Sequence, residues 1–115
     1  MRSKIMITAV VLFALAAAAA SGILIRNLTR PDYDSFAQCL TEKGVMMYGA
    51  YWCHACDVQK ERFQGSFEGI SYVECSKDHE RCEDIHAFPT WEYRDRLYRG
   101  VHSIGQLEEI TGCTA

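Results

Sequence analysis

Residues Ile5 to Ile25 run without a single charge, and no other feature constrains this chain as tightly. As a helix the 21 residues of that run would reach about 31 Å, roughly the thickness of a bilayer's hydrocarbon core. Arg2 and Lys4 precede the run and favour an inside N-terminus, while Arg26 and Arg30 just after it weaken that bias. A cleaved signal peptide is the competing reading, because Ala18-Ala19-Ala20 places small residues where a signal peptidase cuts. Ile23-Leu24-Ile25 carries the apolar character past that point and favours an uncleaved anchor. On either reading the rest of the chain is expected outside the cytoplasm, in the periplasm or a lumenal equivalent.

What remains is enough for one small domain. The expected organisation is a cytoplasmic N-terminus at 1–4, a transmembrane anchor or signal peptide at 5–25, a polar linker at 26–34 and a domain at 35–115. Six cysteines (Cys39, Cys53, Cys56, Cys75, Cys82 and Cys113) are many for so short a chain, which fits an exported domain in an oxidising compartment. The formal net charge is -3 and no basic stripe is present, which argues against nucleic acid as a partner. A domain of this size buries a limited core and gains from a covalent staple.

The apolar spacing of Phe36, Cys39 and Leu40 predicts a helix over 34–43, closed by Gly44. Val45 to Ala50, VMMYGA, reads as a buried central strand. A second helix should open at the CxxC and run to about Phe63, with Gly65 and Gly69 marking its end. Ile70 to Glu74 alternates and reads as a strand, Ser76 to Arg81 as a loop, and Cys82 to Ala87 as a short helical turn. Trp91 to Tyr93 and Leu97 to Arg99 read as strands joined by a tight turn at Arg94-Asp95-Arg96. Ser103 with Gln106 is a capping-box pattern opening a last helix that stops near Gly112. Strands separated by helices imply parallel pairing, and the closing hairpin adds an antiparallel edge.

The chemistry concentrates in YGAYWCHAC, residues 48–56. A CxxC at a strand-to-helix junction puts Cys53 at a helix N-terminus, where unpaired N–H groups and the helix dipole stabilise a thiolate. Cys56, one turn further in, can then displace a bound substrate and close an internal disulfide. His54 is either a second cation beside that sulfur or an exposed polar residue at the helix start. Metal is the rival use of the motif. Structural zinc wants four Cys or His ligands in close pairs, whereas Cys75 and Cys82 have six residues between them. His54, His79 and His86 follow no compact zinc pattern, so no metal site is expected. A purely structural Cys53–Cys56 bridge would close too small a loop to stabilise much.

YWCHAC after a buried strand, with Phe88-Pro89-Thr90-Trp91 ahead of a hairpin, resembles the thioredoxin fold. The segments FAQCLTEKGVMMYGAYWCHAC, YVECS and FPTWEY resemble more closely the thioredoxin-like domain fused or paired with vitamin K epoxide reductase (VKOR) homologues, over Phe36 to Thr111. That resemblance implies a central mixed sheet flanked by helices. It also implies a disulfide oxidoreductase that oxidises the cysteines of exported proteins and hands the electrons to a membrane-embedded, quinone-reducing VKOR. The implied catalytic pair is Cys53, which exchanges, and Cys56, which resolves. Phe88, Pro89 and Thr90 would form the cis-proline loop and substrate groove. The family also carries a second cysteine pair placed like Cys75 and Cys82. No cofactor beyond the redox-active disulfide is implied, and since this chain shows no VKOR helices, the oxidase would be a separate partner.

The sequence departs from the family at three places. His54-Ala55 stands where Pro-His is usual, the segment from Cys75 to Pro89 is short for a full helix, and the strand before the motif offers Met46 and Met47 where cytoplasmic thioredoxins keep a buried Asp. A missing base there would slow the reductive direction and suits an oxidant. Cys75 and Cys82 read first as a structural staple and second as a redox relay. Cys39 reads as a buried small side chain, and Cys113 could pair with it, stay free or serve another chain. Trp52 is expected to shield the active sulfur and Trp91 to lie in the core. Two other functions stay open: a reductase or isomerase of the same compartment, and a non-enzymatic module stapled by disulfides or zinc.

Overall fold

The structure, a computed structural model, describes residues 2–28 and 31–115. It divides into two units, Met1–Pro31 and Asp32–Ala115. The first unit is one helix, α1, Arg2–Leu28. Its stretch Arg2–Ala19 is long and apolar enough to cross a membrane, by length and composition. The helix runs through Arg26-Asn27-Leu28, where polarity predicts linker, because no glycine or proline interrupts those residues. Thr29 and Arg30, also in the expected linker, lie outside the described residues.

The second unit starts with α2, Asp34–Glu42, which buries Phe36, Ala37 and Leu40 on one face. It closes as its sequence predicts, with Gly44 at a positive φ of 77°. Gly44 N–H donates to the Thr41 carbonyl and Val45 N–H to that of Leu40, each at 3.0 Å. This Schellman arrangement satisfies two carbonyls at the helix end while Leu40 and Val45 enter the same core. The chain turns directly into β1, Met46–Gly49.

After β1 come α3, His54–Glu61, and a 3-10 turn at Ser66–Gly69. β2, Ser71–Glu74, and a 3-10 turn at Glu80–Cys82 follow. A hairpin of β3, Thr90–Tyr93, and β4, Arg96–Arg99, leads to α4, Ile104–Thr111. The sheet order is β2-β1-β3-β4. β1 pairs parallel with β2 and antiparallel with β3, and β3 pairs antiparallel with β4. β1 is therefore central, which is why its sequence is apolar on both faces.

Three local details differ from the sequence expectation. The hairpin turn has two residues, Arg94 and Asp95, both at positive φ (51° and 60°) as a type I′ turn requires, so Arg96 already belongs to β4. α3 ends at Glu61 and not near Phe63. The helical turn expected at Cys82 to Ala87 lies earlier, at Glu80–Cys82. There Asp78 accepts from the Arg81 amide at 3.3 Å, and the Cys75–Cys82 disulfide holds the turn against the end of β2.

The larger core cluster gathers Phe36, Leu40, Met47, Phe63, Trp91 and Leu107. Gln59, fully buried at 0% exposure, crosses that core. Its Oε1 accepts from Trp91 Nε1 at 3.0 Å and from the His102 amide at 2.7 Å, while its Nε2 donates to the His102 carbonyl at 3.0 Å. α3, β3 and the approach to α4 are thereby fixed together, and Trp91 is a core residue. α4 carries the full capping box between Ser103 and Gln106. The other face of the sheet holds a smaller cluster of Tyr48, Val73, Cys75, Cys82 and Ile85. A loop stapled by the Cys75–Cys82 disulfide covers it, in keeping with the short segment before Pro89. A second disulfide, Cys39–Cys113, ties α2 to the chain beyond α4. Lys43 reinforces that junction by donating to the Thr111 carbonyl at 2.7 Å.

Candidate active site

β1 delivers the chain to the motif in a short turn, in which the Cys53 amide donates to the Ala50 carbonyl at 3.1 Å. Cys53 is the N-cap of α3, with extended backbone (φ -85°, ψ 110°). Its sulfur accepts from the Cys56 amide at 3.1 Å, the role a serine or aspartate oxygen plays at other helix starts. Both thiols are free. Cys53 is 7% exposed, and Cys56, one turn in, is 0% exposed. Burial first, and then the hydrogen bond with Cys53, push the Cys56 thiol up to about 12, against opposing contributions from the Ala50 backbone and Lys60.

The Phe88-Pro89 peptide bond is cis. Pro89 is fully buried, and its carbonyl accepts from the Gly100 amide at 2.8 Å. Thr90 Oγ1 donates to the Ala87 carbonyl at 2.7 Å and closes the turn ahead of β3. The ring of Trp52 meets that of Phe88 edge to face, with centroids 5.9 Å apart. This contact brings the proline loop and the approach to the CxxC together. Trp52 itself is 64% exposed and Tyr51 72%. The exposed Trp52 ring, next in sequence to Cys53, thus leans on Phe88. His54 is exposed at the helix start.

Cys75 and Cys82 lie in the smaller cluster behind β1 as a closed disulfide. The Cys75 amide donates to the Gly49 carbonyl at 2.8 Å, so this bridge abuts the strand that carries the motif. Among the described residues no three His, Cys, Asp or Glu side chains converge as a metal site.

Four residues around Cys56 escape a reading of the motif alone. A Cβ on Gly49 would fall 3.0 Å from Cys56 Sγ and 3.0 Å from the Tyr72 hydroxyl, so the absent side chain is what lets sulfur and phenol approach. The Tyr72 hydroxyl donates to Glu74 at 3.1 Å. The Lys60 ammonium sits 4.6 Å from the centre of the Tyr72 ring. Burial, followed by the charge and hydrogen bond of Glu74, raises Tyr72 above the usual phenol range and keeps it neutral. Burial works against the Glu74 carboxylate, yet hydrogen bonds from Ser76 and Tyr72, with help from the Tyr51 backbone, hold it below its ordinary value. An isolated glycine inside the VMMYGA strand was the available sequence signal for such a close approach.

A four-stranded mixed sheet with a CxxC opening the helix after its central strand, and a cis-proline loop beside it, defines a thioredoxin-like domain. The sequence is 34% identical over 99 residues to the thiol-disulfide oxidoreductase LTO1 of Arabidopsis thaliana, a match spanning 76% of this chain and 26% of that protein. The chain thus spans about a quarter of the length of the curated relative it matches. The crystal structure of chloroplastic thioredoxin z superimposes with a TM-score of 0.47 at 15% identity, over 71% of this chain and 88% of that one. No protein-family model matches the chain.

Proposed function

We propose that this chain is a membrane-anchored thiol–disulfide oxidoreductase with Cys53–Cys56 as its couple. Its domain faces the extracytoplasmic side, oxidises the cysteines of exported proteins and passes the electrons to a VKOR-type, quinone-linked oxidase. The observation that carries the redox reading is the placement of the two sulfurs: Cys53 at the helix start with 7% exposure, and Cys56 fully buried one turn behind it.

In the oxidising direction a substrate thiolate attacks Cys53 Sγ of the closed couple, and the Cys53–Cys56 bond breaks. Cys56 leaves with the electron pair and takes up a proton, which its high thiol basicity favours. A second substrate thiolate then attacks the substrate sulfur bound to Cys53 and expels the Cys53 thiolate. The substrate gains a disulfide, and its two electrons remain on the reduced couple for the oxidase to collect. Phe88, Pro89 and Thr90 would line the substrate groove, with Trp52 and His54 at its rim. Met46 and Met47 on β1 place no acid behind Cys56, so deprotonating it for the reductive direction has no help from that strand. Relatedness to a thiol-disulfide oxidoreductase supports the chemistry, and the apolar helix α1 supports the anchoring. Cys75–Cys82 takes the structural role here, as the staple of the loop over the second sheet face.

Cys56→Ser tests this assignment. The variant keeps the attacking sulfur and loses the resolving one, so mixed disulfides should accumulate through Cys53, with exported proteins and with a quinone-linked oxidase among the captured species. If nothing accumulates on Cys53, the oxidant assignment fails.

A further inference from the structure

Opening the Cys53–Cys56 disulfide leaves an electron pair on a sulfur that has no exposure to water. An uncompensated charge in such a place is costly, so the rate of exchange depends on what can stabilise it. β1 supplies no polar side chain for this, since Met47 and Gly49 occupy the positions around the buried sulfur. β2 and α3 do. The Tyr72 hydroxyl and Cys56 Sγ border the same empty Cβ position of Gly49, and the Lys60 ammonium lies over the face of the Tyr72 ring.

We propose that the Tyr72 hydroxyl is the hydrogen-bond donor that stabilises Cys56 Sγ while it carries charge, and that Glu74 holds this hydroxyl ready between turnovers. The proposal rests on the reading of Cys53–Cys56 as an exchanging couple, and gives its buried half a positioning residue. With both thiols free, Tyr72 donates to Glu74. When a thiolate bonds to Cys53 Sγ and the Cys53–Cys56 bond breaks, the O–H turns from the carboxylate to the new Cys56 thiolate. A proton from solvent then neutralises that sulfur, and Tyr72 returns to Glu74. No electrons pass through the phenol. Its own raised affinity for the proton keeps it a neutral donor beside two negative neighbours. Glu74, anchored by Ser76 Oγ at 2.7 Å and the Ser76 amide at 3.2 Å, stays fixed while the hydroxyl moves.

Tyr72→Phe in the full chain removes only the hydroxyl and keeps the ring beneath Lys60. Reduction of the Cys53–Cys56 disulfide by glutathione, and its re-formation by glutathione disulfide, would be followed by alkylation and peptide mass mapping, which separates this couple from the other two disulfides. Both rates should fall about tenfold or more, the size of a hydrogen bond to a charged group. The reduction potential should not move, because at equilibrium near neutral pH neither end state carries charge on Cys56. Glu74→Gln replaces the charged competitor for the phenol with a neutral one and should speed both directions. Unchanged rates in Tyr72→Phe overturn the proposal. So does parallel slowing in Tyr72→Phe and Glu74→Gln with a shifted potential, which would mark the pair as structural support. A wild-type couple that neither opens nor re-forms overturns the exchange reading itself, and this proposal with it.

Discussion

Replacing Cys53 with serine should reduce thiol–disulfide exchange by at least about a thousandfold, to the background of free thiols, as removal of a nucleophile does in other covalent enzymes. A serine hydroxyl is not ionised near neutral pH and forms no disulfide, so neither half of the exchange can start. No other sulfur is placed to take over. Cys56 has no exposure, and the remaining four cysteines are closed as Cys39–Cys113 and Cys75–Cys82. The contrast with Cys56→Ser is diagnostic, because in that variant the Cys53 thiolate can still attack a partner's disulfide and should stall in the mixed disulfide, with no Cys56 sulfur to expel the partner. Exchange that survives in Cys53→Ser and disappears in Cys75→Ser would move the chemistry to the other pair.

Loss of the Cys39–Cys113 bridge should have the largest effect on stability. The two cysteines are 74 residues apart, and closing a loop of that size removes unfolded-state entropy worth about 4 kcal/mol. The Cys75–Cys82 bridge, with a separation of 7, is worth about 2.5 kcal/mol on the same basis. For a domain this small the longer bridge corresponds to a fall in melting temperature of roughly 15–30 °C, read by calorimetry on a Cys39→Ala, Cys113→Ala double variant. Below its melting transition the double variant should keep exchange activity, because neither cysteine borders the CxxC. A melting temperature equal to that of the parent chain would show that the Lys43–Thr111 contact and the core around Leu40 and Leu107 hold this junction without the bridge.

Which parts of this structure are legible in the sequence follows from how local their causes are. The Schellman closure at Gly44, the capping box at Ser103 and the helix opening at Cys53 each rest on a few consecutive residues, and each is visible as a pattern. The apolar VMMYGA run announces the central strand for the same reason. The Cys39–Cys113 bond is not legible, because it depends on where two distant helices meet. The helical turn before the proline loop is misplaced in sequence because its position is set by Asp78 and by a disulfide, not by apolar spacing. The contact of Trp52 with Phe88, 36 positions later, is likewise invisible to a reading of its neighbours in sequence. The surroundings of Cys56 are the least legible part of the site. Tyr72 and Glu74 come from β2, and the register of Met47 with Tyr72 across a glycine-bearing strand brings the phenol to the buried sulfur, with Lys60 of α3 over its ring. Gln59 is equally silent: one polar residue on a helix gives no sign that it will sit in the core and join three elements.

An equilibrium titration against defined glutathione ratios shows most directly whether Cys53 and Cys56 form a reversible redox couple that works as an oxidant. The fraction of the Cys53–Cys56 disulfide should follow a single two-electron transition, with a potential well above that of thioredoxin, which lies near about -270 mV. A potential close to the thioredoxin value would assign the domain to the reducing direction. Two cysteines that show no transition at all, in a protein carrying tightly bound zinc, would contradict the redox couple itself.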